Sequence, residues 1–355
     1  MKRRDFIAKG AAGALGAGLA GCATGRPKKI PLWKELAPFY PRPKGGSMPM
    51  YELGNTGIKV SQFCFGSHIR AEMRGYDRQR EHIIHEAYDL GVNLFDVYDK
   101  EEGVSIGGSF QYEPLGRQIK PFKNDVLVSI SFRPYDDRTP EQELERALRL
   151  FGKDCIDLCR VLRQPNDPVW DTLFKFKEQG KIRAVGAPIH DMEHVDMLVG
   201  KVPIDYILFP YNFYHNICWI DEKEDDFESL PALLRRHGIG VVTMKPFAGD
   251  YLSEPFIDIA ERLRKEPEIS FTQSAMRYVL NSGVQPSSIF TGMYNLYHLY
   301  ENAAAFYNKE MSPEENELLE AIKNTATRET TTAWLPDHYK WLNNWAQKPC
   351  DHNKA

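Results

Sequence analysis

Asp96 and Tyr98 close the stretch Gly91-Val92-Asn93-Leu94-Phe95-Asp96-Val97-Tyr98-Asp99-Lys100, where an apolar run gives way to an acid and a phenol. A phenol, with a pKa of about 10, is protonated at neutral pH and can act as a general acid, and a nearby carboxylate can hold a cation against it. Residues two apart on a strand share a face, so a strand that runs on through Val97 delivers both groups to one surface. If the chain leaves the sheet at Asp96 instead, Tyr98 turns outward and Tyr112 inherits its candidacy. The competing reading makes Asp96 a helix cap or a hydrogen-bonding residue of the sheet edge. Two other polar clusters stand out: Tyr211, Asn212, Tyr214 and His215 in "YNFYHN", and His190-Asp191 in "PIHD". Loop histidines with local hydrogen bonds account for both, and no metal site is expected.

The six cysteines contain no CxxC pair, which argues against zinc and iron–sulfur frameworks. Cys155 and Cys159 lie four apart in an apolar run. On one strand they face the same way about 13 Å apart, too far to bond, so both read as small buried hydrophobes.

The elements that must position these groups follow one rhythm. Strand-type runs alternate with helix-type stretches eight times: "VSQFCFG" and "QREHIIHEAYDLG", "VNLFD" and "YEPLGRQIK", "DVLVSIS" and "TPEQELERALRLFG", "CIDLCRVL" and "PVWDTLFKFKEQG", "IRAVG" and "DMEHVDMLVG", "DYILF" and "FESLPALLRRHG", "IGVVTM" and "FTQSAMRYVLNSG", "SSIFTG" and "LYHLYENAAAFY". Thr139 before Pro140 caps a helix, and Gly152, Gly180 and Gly238 end others. Nearly continuous apolar strands covered by helices give a parallel sheet, and eight such units close it into a (β/α)8 TIM barrel of the α/β class, followed by C-terminal helices. An open doubly wound sheet is disfavoured because no G-x-G-x-x-G follows the first strand. Ahead of the first unit, "MYELGNTGIKV" reads as an N-terminal β-hairpin turning at Asn55-Thr56-Gly57, either a plug for the barrel floor or a simple edge pair.

Composition bounds the rest. The chain has 355 residues, 42% hydrophobic and 26% charged, and a formal net charge of −4, so no basic field is present for nucleic acid. Residues 1–22 carry Arg3-Arg4, a Gly-rich apolar run and Leu19-Ala20-Gly21-Cys22. This resembles a bacterial twin-arginine export signal ending in a lipobox, which implies cleavage before Cys22, a lipid anchor on its sulfur, and folded export to the periplasmic side or envelope. The apolar run is shorter than the roughly 20 residues a membrane span needs. Residues 23–47, rich in proline and lysine, read as a tether. Residues 48–325 form the barrel, and 326–355 a tail with Trp334, Trp341 and Trp345, whose expected place is against the barrel wall.

Across about residues 48–325 the chain resembles an aldo-keto reductase. The resemblance rests on the order of "YELGNTGIKVSQFCFGS", "YDLGVNLFD", "EPLGRQIK", "TPEQELERALRLFGKDCIDL", "FKEQGKIRAVG", "FPYN", "RRHGIGVVTMKPFAG" and "YENAAAF". It implies a small-molecule carbonyl or alcohol substrate, an NADP or NAD cofactor, an aspartate at Asp96 and a proton-donating tyrosine at or near Tyr98. It also implies a lysine where this chain has Ser131 and a histidine where it has Leu162. Replacement cations are sought in Lys100, Arg133 and Arg163. On the cofactor side the resemblance retains Lys245, Pro246 and the loop to Gly249, then Gly292, and Glu301 with Asn302 near adenine. The free N-terminus of the helix starting near Asn295 offers a place for phosphate. It loses the amide-holding pair at Pro188-Ile189, a glutamine at Leu208 and an aromatic stacker near Met244. Two readings follow: an exported, lipid-anchored NAD(P)-dependent oxidoreductase of a carbonyl, alcohol or sugar-like substrate, or a silent barrel of the same fold that binds a ligand or partner in the envelope. A glycosidase reading fails for want of a second placed carboxylate.

Overall fold

The computed structural model describes residues 42–67, 77–98, 112–132, 138–190, 192–214, 230–266 and 268–326. The export signal with Cys22, nearly all of the tether, the tryptophan tail, Lys100, Arg133, Asp191 and His215 lie outside these residues.

A hairpin comes first. Strand β1 (Met50–Glu52) pairs antiparallel with β2 (Lys59–Ser61), Tyr51 opposite Val60. The Leu53 amide donates to the Ile58 carbonyl at 2.9 Å, closing the turn. Leu53, Ile58 and Val60 are buried with the inward-facing strand residues Leu94, Leu158, Leu208 and Val242, so the hairpin plugs the barrel floor rather than lying at an edge. Gly54 makes the plug possible. Its φ of +54° lies in the left-handed region, and a Cβ there would sit 2.4 Å from the Gly240 amide nitrogen. Gly54→Ala is therefore expected to cost at least about 2 kcal/mol in a urea unfolding titration, from backbone strain and overpacking together. Gly57 has φ +71° with nothing within 4 Å of a built Cβ, so Gly57→Ala serves as the strain-only control.

Eight parallel strands then close on themselves: β3 (Phe63–Gly66), β4 (Leu94–Tyr98), β5 (Leu127–Ser131), β6 (Ile156–Arg160), β7 (Ile182–Pro188), β8 (Tyr206–Pro210), β9 (Gly240–Met244) and β10 (Ser288–Gly292), with β10 returning to β3. Between them run α1 (Asp77–Asp89), α2 (Tyr112–Ile119), α3 (Pro140–Phe151), α4 (Val169–Glu178), α5 (Met192–Leu198), α6 (Leu230–Arg236), α7 (Asp250–Leu263) and α8 (Phe271–Leu280); α9 (Leu296–Tyr307) and α10 (Pro313–Thr325) follow the last strand. All eight expected strand–helix pairs are present. Helix α3 shows why its boundaries were legible: Thr139 and Gln142 form a reciprocal capping box, Pro140 opens the first turn, and Gly152 ends it at φ +61°. Helix α7 was not anticipated, because Pro255 interrupts its pattern from within.

Parallel closure puts the carboxyl ends of all eight strands at one rim, so Ser131 and Gly292, each the last residue of its strand, share that rim with the end of β4. The strand alternation divides the core in two. Val97, Ile130 and Cys159 face the helices, while Leu94, Leu158 and Phe290 fill the interior. Among the described thiols, Cys64 and Cys159 are buried and Cys155, one residue before β6, is half-buried; none is bonded. Burial, with Asp157 nearby, pushes the Cys155 thiol up to about 11, and burial raises Cys64 and Cys159 further, consistent with inert packing residues.

Candidate active site

Asp96 is the third residue of β4, and the strand persists through Val97 to Tyr98, as a shared inner face requires. Its carboxylate points into the barrel and meets Arg160, the last residue of β6. Arg160 Nη2 donates to Asp96 Oδ2 at 3.0 Å, and Nη1 donates to Asp96 Oδ1 and to Ser129 Oγ, the latter at 2.9 Å. This is a two-pronged ion pair in a sealed place: Arg160 is 0% exposed and Asp96 4%. A charge buried without such a partner would cost several kcal/mol, roughly the penalty that makes unpaired interior charges rare. The guanidinium carbon also lies 5.6 Å from the centre of the Phe290 ring, within cation–π range.

The polar layer continues to Tyr206 at the start of β8. Its ring occupies space that only a glycine at 186 leaves, since a Cβ there would sit 2.4 Å from the ring. Burial pushes the Tyr206 phenol well above its ordinary value, with the Arg160 charge pulling the other way, so this phenol stays protonated. At the rim, the Ser67 amide donates to the Asp96 carbonyl at 2.7 Å. Arg80 of α1 donates to the Ser67 carbonyl and to Gln118 Oε1, tying the first two barrel strands to the helices behind them.

Several sequence expectations are corrected here. Asp96, expected to lack an evident partner, has one in Arg160, a residue absent from the candidate cations. Arg163, which was among them, turns out to the surface beside Asp167, at 3.6 Å. Tyr112, the fallback donor, sits in α2 between barrel and helices with its hydroxyl directed at the Ser131 carbonyl at 3.4 Å, not into the interior. Tyr98 takes its expected backbone place as register partner of Ser131, and its side chain lies outside the described residues. In "YNFYHN", Asn212 is structural: its side chain donates to the Lys245 carbonyl at 3.0 Å and accepts from the Tyr214 amide at 2.9 Å.

Lys245 and Ala248 are non-glycine residues at φ +57° and +61°, and the Ala248 amide donates to the Lys245 carbonyl at 2.9 Å. Two left-handed residues in four mark a loop held in a costly shape, as loops that clamp ligands often are. Pro246 is buried within it. Gly292 is exposed, and a Cβ there would meet nothing within 4 Å. Asn302 in α9 is 1% exposed, and its Oδ1 accepts no hydrogen bond from the described residues, which suits the exocyclic amine of adenine. Neighbouring Glu301 instead accepts from Ser270, the cap of α8. At the helix start the Asn295 side chain accepts the His298 amide at 2.8 Å, which takes up one of the first-turn amides. At the other end of the site the donor set is apolar. Ile189 is fully buried with its amide given to the Leu208 carbonyl at 2.8 Å, and Leu208 and Met244 belong to the barrel interior. A nicotinamide nucleotide thus fits these residues at its adenine end and finds no side-chain amide partner among Pro188, Ile189 and Leu208.

A sequence model described as the aldo/keto reductase family matches residues 72–324. The chain belongs to the aldo/keto reductase family. Among characterised relatives it is similar to L-galactose dehydrogenase of Arabidopsis thaliana, 24% identical over 314 residues that span 77% of this chain and 94% of that one. It is also similar to the aldo-keto reductase YhdN of Bacillus subtilis, 27% identical over 186 residues, 47% of this chain and 55% of the other. Its fold matches the holo form of an aldo-keto reductase from Bacillus halodurans with a TM-score of 0.59 at 18% identity, over 80% of this chain and 99% of that one. Within this aldo/keto reductase, Ser131 and Leu162 stand where the resemblance placed lysine and histidine. The register shows where a cation sits instead: Tyr98 pairs with Ser131, and Ser131 pairs with Arg160.

Proposed function

We propose that the chain is an exported, lipid-anchored oxidoreductase that interconverts a carbonyl and an alcohol on a small, sugar-like molecule, using NADP or NAD. The observation that carries this reading is the Asp96–Arg160 pair: a fixed carboxylate and a permanent positive charge at the rim-side end of the barrel interior, in a chain of a reductase family. Lys245, Pro246, Gly292 and Asn302 would hold the nucleotide, which supplies hydride for the carbonyl carbon when bound. Tyr98 would give its phenolic proton to the carbonyl oxygen, leaving the alcohol and a phenolate that regains its proton from water. Loss of the lysine and histidine positions removes part of the support for that transfer, and the Arg160 charge offsets it. The Arabidopsis relative is named as a dehydrogenase of L-galactose, a sugar, which supports a sugar-like substrate here.

Among the described residues no helix is long and apolar enough to cross a membrane; in this reading the lipid on Cys22 supplies the attachment. The full chain expressed in a host with twin-arginine export is expected to partition with membranes as a mature form beginning at lipidated Cys22, and Cys22→Ala is expected to shift it to the soluble fraction. Denaturing the exported protein and identifying released nucleotide by mass tests the cofactor directly. Release of NADP or NAD near one per chain is expected. A folded protein that emerges empty and binds neither nucleotide on titration would favour the silent, ligand-binding barrel.

A further inference from the structure

Arg160 lies at a register position that makes it more than a packing residue. It is the strand partner of Ser131, which is the strand partner of Tyr98. Its guanidinium is fully buried, engages both oxygens of Asp96, and donates to Ser129 from the intervening strand. Three neighbouring strands, β4, β5 and β6, are thereby tied together by one charged group just beneath the rim. The short side chains Ser129 and Ser131 leave the space that the guanidinium crosses to reach β4. Arginine keeps its charge across the whole accessible pH range and presents a rigid fork matched to a carboxylate, so Asp96 is held in one orientation.

We propose that Arg160 is the positioning residue of this site, the cation displaced by one strand from position 131, which fixes Asp96 and projects a permanent positive charge toward the proton donor at the end of β4. Being sealed from solvent, it touches neither substrate nor nucleotide and acts through Asp96 and through its field. This rests on the reductase reading above. It also explains how the chain does without a lysine at 131: an ammonium there would crowd the guanidinium that already satisfies Asp96.

The test is a cycle on Arg160 and Ser131 read two ways. In steady-state reduction of aldehydes with NADPH or NADH, Arg160→Met is expected to lower kcat by roughly 10²-fold, the loss typical of misplaced reacting groups, with KM changed less than about threefold. Adding Ser131→Lys to Arg160→Met is expected to restore most of kcat, because the ammonium then meets the vacated Asp96. A folded Arg160→Met with unchanged kcat overturns the inference. So does a gain from Ser131→Lys alone, which would mean that Asp96 still lacked its cation. Urea unfolding midpoints of the same variants separate this inference from the reductase reading. If the wild-type chain reduces nothing, that reading fails, yet the midpoint is still expected to fall in Arg160→Met and to recover with Ser131→Lys; no recovery overturns the inference. Should Arg160→Met fail to fold, Arg160→Gln, which removes the charge but keeps a hydrogen-bonding side chain, carries the same comparison.

Discussion

Arg160→Met lowers the stability of the barrel by about 3–5 kcal/mol, and Asp96→Leu does the same, whereas the two changes together cost far less than their sum. This is the expected result because each single change strands one charge in a place that water does not reach, with Arg160 at 0% and Asp96 at 4% exposure. The double change removes both charges and leaves two apolar side chains among Leu94, Leu158 and Phe290. Chemical unfolding of the four proteins in urea measures it. The exposed pair Arg117–Glu113 on α2, with side chains 54% and 52% exposed, is the control. Its removal is expected to change stability by less than about 1 kcal/mol. Single changes at the buried pair as mild as the control would mean that the guanidinium and carboxylate reach water in solution, and the sealed polar layer would be wrong.

The second large effect falls on turnover. Tyr98→Phe removes the phenolic proton while keeping the ring, and is expected to reduce kcat by about 10²–10⁴-fold, the usual contribution of a general acid, with little change in nucleotide affinity. Tyr112→Phe provides the comparison. Its hydroxyl is directed at the Ser131 carbonyl behind the sheet, so its loss is expected to leave kcat nearly intact. Equal losses at the two positions, or a loss at Tyr112 alone, would reassign the donor. Together these variants separate the chemistry at the strand end from the packing that supports it.

How much of this was legible in the sequence depended on which force wrote the signal. The eight strand–helix units were readable because a buried parallel sheet demands near-continuous apolar strands, and because caps such as Thr139 and Gly152 mark helix ends chemically. Helix α7 was hidden because Pro255 breaks the local pattern, although the packing of Phe256, Ile259 and Ala260 against Phe213 and Phe271 sustains it. The hairpin was visible as a hairpin, but its use as a plug depends on the close approach of Gly54 to Gly240, which is a tertiary fact. Asp96 was found and its partner was not. The family pattern places a lysine at 131 and a histidine at 162, whereas the cation of this chain sits one strand along at Arg160. A purely physical signal was available in "CIDLCRVL": Arg160 shares a strand face with Leu158 on a strand buried throughout, and an inward charge obliges a buried counter-charge, of which Asp96 was the placed candidate. The apolar character of Pro188, Ile189 and Leu208, where the resemblance places amide-holding side chains, was legible residue by residue.

We propose that this divergent barrel performs reduction around Asp96 and Arg160. The most direct measurement is a single-turnover reaction of the full chain, preloaded with NADPH or NADH, against a panel of simple aldehydes and hydroxylated aldehydes. Loss of nucleotide absorbance is followed together with formation of the alcohol. The expected result is stoichiometric oxidation of the nucleotide with one equivalent of alcohol, slowed by Arg160→Met and by Tyr98→Phe. Tight nucleotide binding with no alcohol formed from any member of the panel, or turnover indifferent to both substitutions, would contradict the account.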